Sequence, residues 1–302
     1  MSSAVLAGQL AGAGAARMTK RRERREHGIR RPGWLTYLVL VVAILIAVYP
    51  LYYTFLLSSS SQIEIAKHPI PGLIPQGNLL SNLTRVFHTE GLDFWGAFIN
   101  SVMVAVIQSA SVAIFSTLAG FAFAKLRFHG RRGLLAFIVA TMAVPPQLGV
   151  VPLFIVMAKL GWTGQLVAVI VPGLVSAFGV FWMTQYLSGA LPYELVEAAR
   201  VDGCSMFASF RHVALPAARP AAAMLFLFTF VTSWTTYFWP SIVLGSQNPT
   251  LPVALQLLQT GYAKDMSLIM SGVLLSTLPL LVLFLVVGRQ LVSGIMAGAV
   301  KG

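Results

Sequence analysis

Six runs of about 20 or more residues carry no Asp, Glu, Lys or Arg: 34 to 57, 97 to 124, 134 to 157, 163 to 187, 221 to 244 and 266 to 288. An α-helix rises about 1.5 Å per residue, so each run can cross a hydrocarbon core of about 30 Å. Within lipid a helix satisfies its own backbone hydrogen bonds. The expected fold class is therefore an all-α membrane protein with six transmembrane helices. Composition agrees: 57% of the 302 residues are hydrophobic and 10% charged, with a mean hydropathy of +0.79. That is too little polar surface to cover a soluble globule of this size.

Charge sets the orientation. The segments before the first run, between the second and third, between the fourth and fifth, and after the sixth hold seventeen of the 21 Lys and Arg against five carboxylates. In the segments on the other side Lys67, Arg85, Lys159 and Lys264 are cancelled by Glu64, Glu90, Asp93 and Asp265. The positive-inside rule then places both termini in the cytoplasm. A pI of 10.4 and the run KRRERREHGIRR (20 to 31) could suggest nucleic-acid binding. The run abuts the first span, however, and reads as an orientation signal that also favours anionic membrane lipid; no nucleic-acid partner is expected. The first span is too long for a signal-peptide core and lacks a small-x-small cleavage site after it, so it is expected to remain as an anchor. Residues 1–16, rich in Ala and Gly, read as a disordered tail.

Several chemistries are disfavoured. Cys204 stands alone and the five His are scattered without ligand spacing, so no metal site is expected. None of the spans holds an ionisable group of the kind that marks a proton relay or coupling-ion site. None of the six Lys follows a Gly, so the G-K-[ST] ending of a nucleotide-binding loop is absent. No catalytic residues are assigned, and the chain does not read as an enzyme.

The spans instead contain helix breakers and neutral polar groups. MAVPPQLGVVPLF (142 to 154) and VPGLVSAFG (171 to 179) free backbone groups that lipid cannot satisfy, so they must face protein or a water-filled cavity. Asn100, Gln108 and Gln147, with Trp234 and Tyr237 of the cluster SWTTYFWP (233 to 240), are candidate pathway-lining residues suited to an uncharged polyol. Helix packing and an interfacial aromatic belt are the competing readings.

The segment 188 to 220, SGALPYELVEAARVDGCSMFASFRHVALPAARP, is longer than a turn between two spans requires. Pro192 suits a first helical turn, Glu194 and Glu197 lie toward the positive end of the helix, and Arg200 is the i+3 neighbour of Glu197. Gly203 after Asp202 is a stop signal that predicts a left-handed backbone there. A second helical piece is expected from about Ser205 to His212, ending before Pro216. Ala198 and Ala199 offer a flat spot for close approach, as a docking helix or as an ordinary surface helix.

The pattern Glu197-Ala198-Ala199, three residues, Gly203, nine residues, Val213, one residue, Leu215-Pro216 resembles the EAA loop of the membrane subunits of bacterial ABC importers. Val213 stands where that pattern has Ile. The ending GRQLVSGIMAGAVKG (288 to 302) and PPQ followed by VVPLF are similar to the G-type permease of maltose and other carbohydrate importers. The resemblance covers about residues 34 to 302. It implies a type I importer permease: a six-span domain over 34–288 containing the coupling loop 188–220, a basic tail 1–33, and a C-terminal tail 289–302.

It further implies that Glu197, Ala198, Ala199, Arg200, Asp202 and Gly203, followed by Leu215 and Pro216, contact a cytoplasmic ATPase. Gly294, Gly298 and Lys301, in a narrow flexible strand, would enter the interface of the ATPase dimer. Asn248, Pro249 and Thr250 would reach an extracytoplasmic sugar-binding protein. A second, homologous permease subunit would complete the pathway, and ATP and Mg would be used by the ATPase, with no cofactor on this chain. The implied cargo is a di- or oligosaccharide. The Ala- and Arg-rich composition and the loop NPTLPVALQ incline it toward actinobacterial disaccharide systems, with a β-glucoside such as cellobiose as the specific expectation. The alternatives are a permease of the same type for glycerol phosphate or a polyamine, and a secondary carrier.

Overall fold

Backbone satisfaction without water leaves these apolar runs one solution, and among the described residues every regular element is helical. The computed structural model describes residues 33–299 except 69, 71, 90 and 260–263. The tail 1–32, which includes the Ala/Gly-rich segment, lies outside the described residues, as do Lys301 and Gly302.

Helix α1 (Trp34–Ser59) carries apolar side chains all round. Up to Tyr52 it belongs to one compact unit of the chain, and from Tyr53 onward to a second. In the second unit, short helices α2 (Gln62–Lys67) and α3 (Leu79–His88) precede the long α4 (Phe94–Lys125). The third apolar run is not one straight span. It forms α5 (Arg131–Thr141) and, after Pro145 and a 3-10 turn over Pro146–Gly149, α6 (Val150–Lys159), with an 89° bend between them. Proline lacks a donor and restricts the residue before it, so the PP pair cannot continue a helix. Among the described residues five helices are thus long and apolar enough to cross a membrane, or six if this bent pair is one span.

The fourth run begins with α7 (Val167–Ile170) and a 3-10 turn over Val171–Gly173, then continues as α8 (Ala177–Ala190), capped by Ser176. Next come α9 (Tyr193–Val201), α10 (Met206–Ser209), a π-helical turn over Phe210–Ala214, and α11 (Leu215–Thr235). The expected stop before Pro216 does not occur, because the wide π turn, closed by Leu215 N–H on the Phe210 carbonyl, leads directly into α11. After α12 (Phe238–Val243) and α13 (Leu251–Leu257), α14 runs from Met266 to Ala299. The tail expected as a flexible strand after residue 288 therefore continues as helix through Gly294 and Gly298.

Helix α4 is the axis of the second unit and packs against both α8 and α11. Lipid gives no hydrophobic drive between helices, so close approach depends on small residues. Val112, Ser116 and Gly120 form one i+4 row of α4, facing Gly179 and Met183 of α8. A Cβ on Gly120 would lie 2.6 Å from the Met183 Cβ and 2.8 Å from its carbonyl carbon.

At the end of the unit away from the 188–220 loop, a polar clasp joins α1, α2, α3 and α14. The buried Asn82 amide donates to the Ser58 and Ser60 carbonyls at 2.9 and 2.8 Å. Arg85 reaches both Asn82 Oδ1 and Asp265, the only salt bridge among the described residues. Asp265 caps α14 by accepting from Leu268 N–H, while Gln62 accepts from Met266 N–H and donates to the Lys264 carbonyl. Partial burial alone would raise the Asp265 pKa. Hydrogen bonds from Ser267, Arg85 and Leu268, with the Arg85 charge, outweigh that and hold it below the usual carboxylate range.

Two outcomes are expected. Gly120→Ala should cost about 1–3 kcal/mol through overpacking and lower the thermal midpoint in detergent. Gly133→Ala, where a Cβ meets nothing within 4 Å, should not. Because the folded Asp265 carboxyl is depressed, its ionised form stabilises the fold above about pH 4 and that contribution is lost as pH falls through the folded value. Asp265→Asn should melt below wild type at pH 7 and converge with it in acid; a constant gap across that range would refute the assignment.

Candidate functional site

The charged segment after α8 folds into the short helix α9, with Pro192 at its N-cap, Glu194 in the first turn and Arg200 in the last. This order of charges matches the helix dipole. Its end is a Schellman closure: Cys204 N–H donates to the Ala199 carbonyl at 2.9 Å and Gly203 N–H to the Arg200 carbonyl at 3.1 Å. Gly203 adopts φ +84°, the left-handed conformation expected from its position.

One face of α9 is anchored. Val196 is buried in a cluster with Phe121 of α4, Met183 and Leu187 of α8, and Ala214 and Ala218, which bracket the start of α11. Ala199 is also buried, so of the alanine pair only Ala198 lies on the outer surface. That surface carries Leu195, Ala198 and Val201, with Phe207 following on α10, all exposed. Glu197 is exposed too; it forms no salt bridge with Arg200 and so keeps a free carboxylate. Glu197 and Arg200 line a cleft of about 660 Å³ with Lys125, Arg127 and Tyr193. Arg127 stacks over the Tyr193 ring at 5.7 Å. Leu215 and Pro216 are exposed at the start of α11. A rigid helix, fixed inside and bare outside, suits docking to another protein; among the described residues no His, Cys, Asp and Glu group could hold a metal.

The candidate pathway residues divide. Gln108 is buried, donates to the Val169 carbonyl at 2.8 Å and accepts from the Ser233 hydroxyl at 2.6 Å. It serves the backbone loosened by Pro172-Gly173. Trp234 is likewise core: only 3% exposed, it stacks on Phe230 and donates to the Ser276 carbonyl, in the turn disrupted by Pro279. Asn100 donates to the Pro249 carbonyl beside a cleft of about 460 Å³. Gln147 and Tyr237 are exposed. Thr235 and Thr236 of the cluster SWTTYFWP, with Thr232 before it, lie on the exposed face of the last turns of α11, their hydroxyls donating to the Val231, Thr232 and Phe228 carbonyls respectively. The repeated Thr of FVTSWTT, at i+3 and i+4, was the available signal for this face.

The segment Asn248–Thr250 is no free arm. Asn248 donates to the Gly164 carbonyl, Pro249 accepts from Asn100, and Thr250 is buried. Leu251 N–H donates to Ser101, and α13 packs back on the core. Residues 260–263 of this loop lie outside the described residues.

Residues 115–291 match the family described as binding-protein-dependent transport system inner membrane component. The chain is 32% identical over 271 residues to an arabinooligosaccharide transport system permease of Halalkalibacterium halodurans, covering 89% of this chain and 96% of that protein. It is 32% identical over 273 residues to a lactose transport system permease of Rhizobium radiobacter, covering 90% and 97%. A sn-glycerol-3-phosphate transport system permease of Rhizobium meliloti is 29% identical over 86% of this chain and 94% of its own length. One chain in the crystal structure of a bacterial ABC transporter involved in import of the acidic polysaccharide alginate superimposes with a TM-score of 0.71. It shares 24% identity and covers 89% of this chain and 97% of itself, a likeness of fold. The chain belongs to the family of inner membrane components of binding-protein-dependent transport systems, and it is a multi-pass membrane protein.

Gly203→Ala isolates the closure of α9. A Cβ at Gly203 meets nothing within 4 Å, so the cost is conformational, about 1–2 kcal/mol. Amide exchange at Cys204 should accelerate by roughly five- to thirtyfold, since each 1.4 kcal/mol is tenfold. Gly189→Ala, equally uncrowded and without a positive φ, should leave that rate unchanged.

Proposed function

We propose that this chain is one permease subunit of an ATP-driven importer that moves a neutral di- or oligosaccharide from an extracytoplasmic binding protein into the bacterial cytoplasm. The observation that carries the reading is α9: fixed inside through Val196 and Ala199, closed by Gly203, and bare outside along Leu195, Ala198 and Val201. Exposed apolar side chains beside an unpaired carboxylate form a surface for a groove in a partner, and the partner is a cytoplasmic ATPase dimer.

ATP and Mg are bound by that dimer. When it closes, it moves α9, and the shared packing with α4, α8 and α11 passes the displacement into the spans. A packed core is bistable and does not deform continuously, so the result is a switch between outward- and inward-facing states. A second, homologous permease completes the pathway, whose lining on this chain includes Thr232, Thr235, Thr236 and Tyr237. Both termini are cytoplasmic.

The sugar cargo is supported by the arabinooligosaccharide and lactose permeases among the relatives and by spans without ionisable groups. Glycerol phosphate remains the second reading, because permeases named for it are also similar to this chain.

The test is transport by the complete complex in proteoliposomes, with cellobiose as the first cargo and glycerol 3-phosphate as the comparison. Glu197→Lys and Gly203→Asp should leave the chain inserted and docking of the loaded binding protein intact, yet abolish uptake and release or uncouple the ATPase. Removing charge-assisted contacts of Glu197 is expected to weaken docking by roughly 1.5–3 kcal/mol. Wild-type uptake in both variants would sink the coupling role; uptake of glycerol 3-phosphate alone would sink the sugar cargo.

A further inference from the structure

The turn between α4 and α5 concentrates positive charge in a small space. Arg127, Arg131 and Arg132 line a pocket of about 410 Å³, with Phe128, Gly130 and Gly133 completing the wall and no carboxylate among the lining residues. The backbone is folded to hold them together: Gly130 adopts φ +78°, so the chain reverses between Arg127 and Arg131. Arg131 Nη1 donates to the Leu126 carbonyl at 3.1 Å, which fixes its guanidinium at the end of α4. Arg127 is held over the Tyr193 ring, whereas Arg132 has no hydrogen bond or salt bridge within the chain among the described residues.

Below this pocket, α5 buries none of its residues, and Leu134 and Phe137 are exposed. The combination is a cationic mouth above an apolar helix face at one end of a membrane-spanning unit. Converging arginines favour a phosphate group, because their planar donors match its oxygens and repel one another when left without an anion.

We propose that Arg127, Arg131 and Arg132 bind the phosphate of an anionic phospholipid whose acyl chains lie along the exposed face of α5. Soluble phosphate would meet the same guanidinium groups, but it would gain nothing from Leu134 and Phe137. The site depends only on the chain spanning a membrane, so its failure would leave the transport reading untouched. Its place does give the lipid a route to α9: Arg127 lines both this pocket and the cleft beside Glu197.

The experiment is native mass spectrometry of the intact complex released from nanodiscs of mixed phosphatidylglycerol and phosphatidylcholine. It compares wild type with Arg131→Gln/Arg132→Gln, Arg131→Lys/Arg132→Lys and Arg132→Gln alone. Wild type should retain phosphatidylglycerol in preference to phosphatidylcholine, and each neutralised arginine should weaken retention about fivefold, the double lysine variant keeping most of it. The Arg132 variant is included because its side chain supports no backbone contact, so a loss there cannot come from damage to the turn. Equal retention of the two lipids by wild type, unchanged phosphatidylglycerol retention in Arg132→Gln, or displacement of the lipid by inorganic phosphate would each overturn the proposal.

Discussion

In a hydrocarbon medium a backbone carbonyl without a donor costs several kcal/mol, and this constraint organises the interior. Pro172 has no N–H for the Ala168 carbonyl four residues earlier. The indole of Trp239 supplies one, at 3.0 Å. The amide of Gln108 serves Val169, and the Ser111 hydroxyl serves Leu174 at 2.9 Å, where the chain leaves the 3-10 turn. Trp239, Gln108 and Ser111 are thus each the complement of a helix break elsewhere.

The same economy governs contact between helices. Gly120, Gly179 and Gly173 sit where the neighbouring helix leaves no room for a Cβ, at Met183, Ser116 and Gln108 respectively. Close backbone approach packs α4 tightly on α8, and α11 joins them through Ala218, Ala221 and Leu225. The loop helix α9 is attached to that body at its inner face, and Lys125 of α4 adds a polar tie by donating to the Ser188 carbonyl at the end of α8.

The π turn over Phe210–Ala214 belongs to this linkage. It adds width where Pro216 would otherwise confront an ordinary helical turn, and it sets Phe210 against Phe121 of α4 at 5.7 Å. Helices α10 and α11 become one continuous rod that begins in the loop and ends among the exposed threonines. The loop and the far end of the span are thereby joined through a single element.

The sequence alone determined the membrane class, because six uncharged apolar runs in a chain with only 10% charged residues leave too little polar surface for a soluble globule. It also determined α9 and its end, since a dipole-matched charge order and a glycine at the stop are local signals that tertiary packing did not overrule. The family was legible for the same reason: the spacing from Glu197 to Pro216 is contained in one short segment. What each polar residue of the spans does was decided only by tertiary structure. Gln108 and Trp234 have the chemistry of a sugar-binding surface, and nothing in their own neighbourhoods names the partners. Those partners, the carbonyls of Val169 and Ser276, lie 61 and 42 residues away in the chain and come within reach only when the helices pack. The 89° bend at Pro145-Pro146 and the continuation of helix through Pro216 are decisions of the same kind. Proline states that a regular hydrogen bond is missing; the surrounding helices determine whether the chain turns aside, or absorbs the defect and goes on.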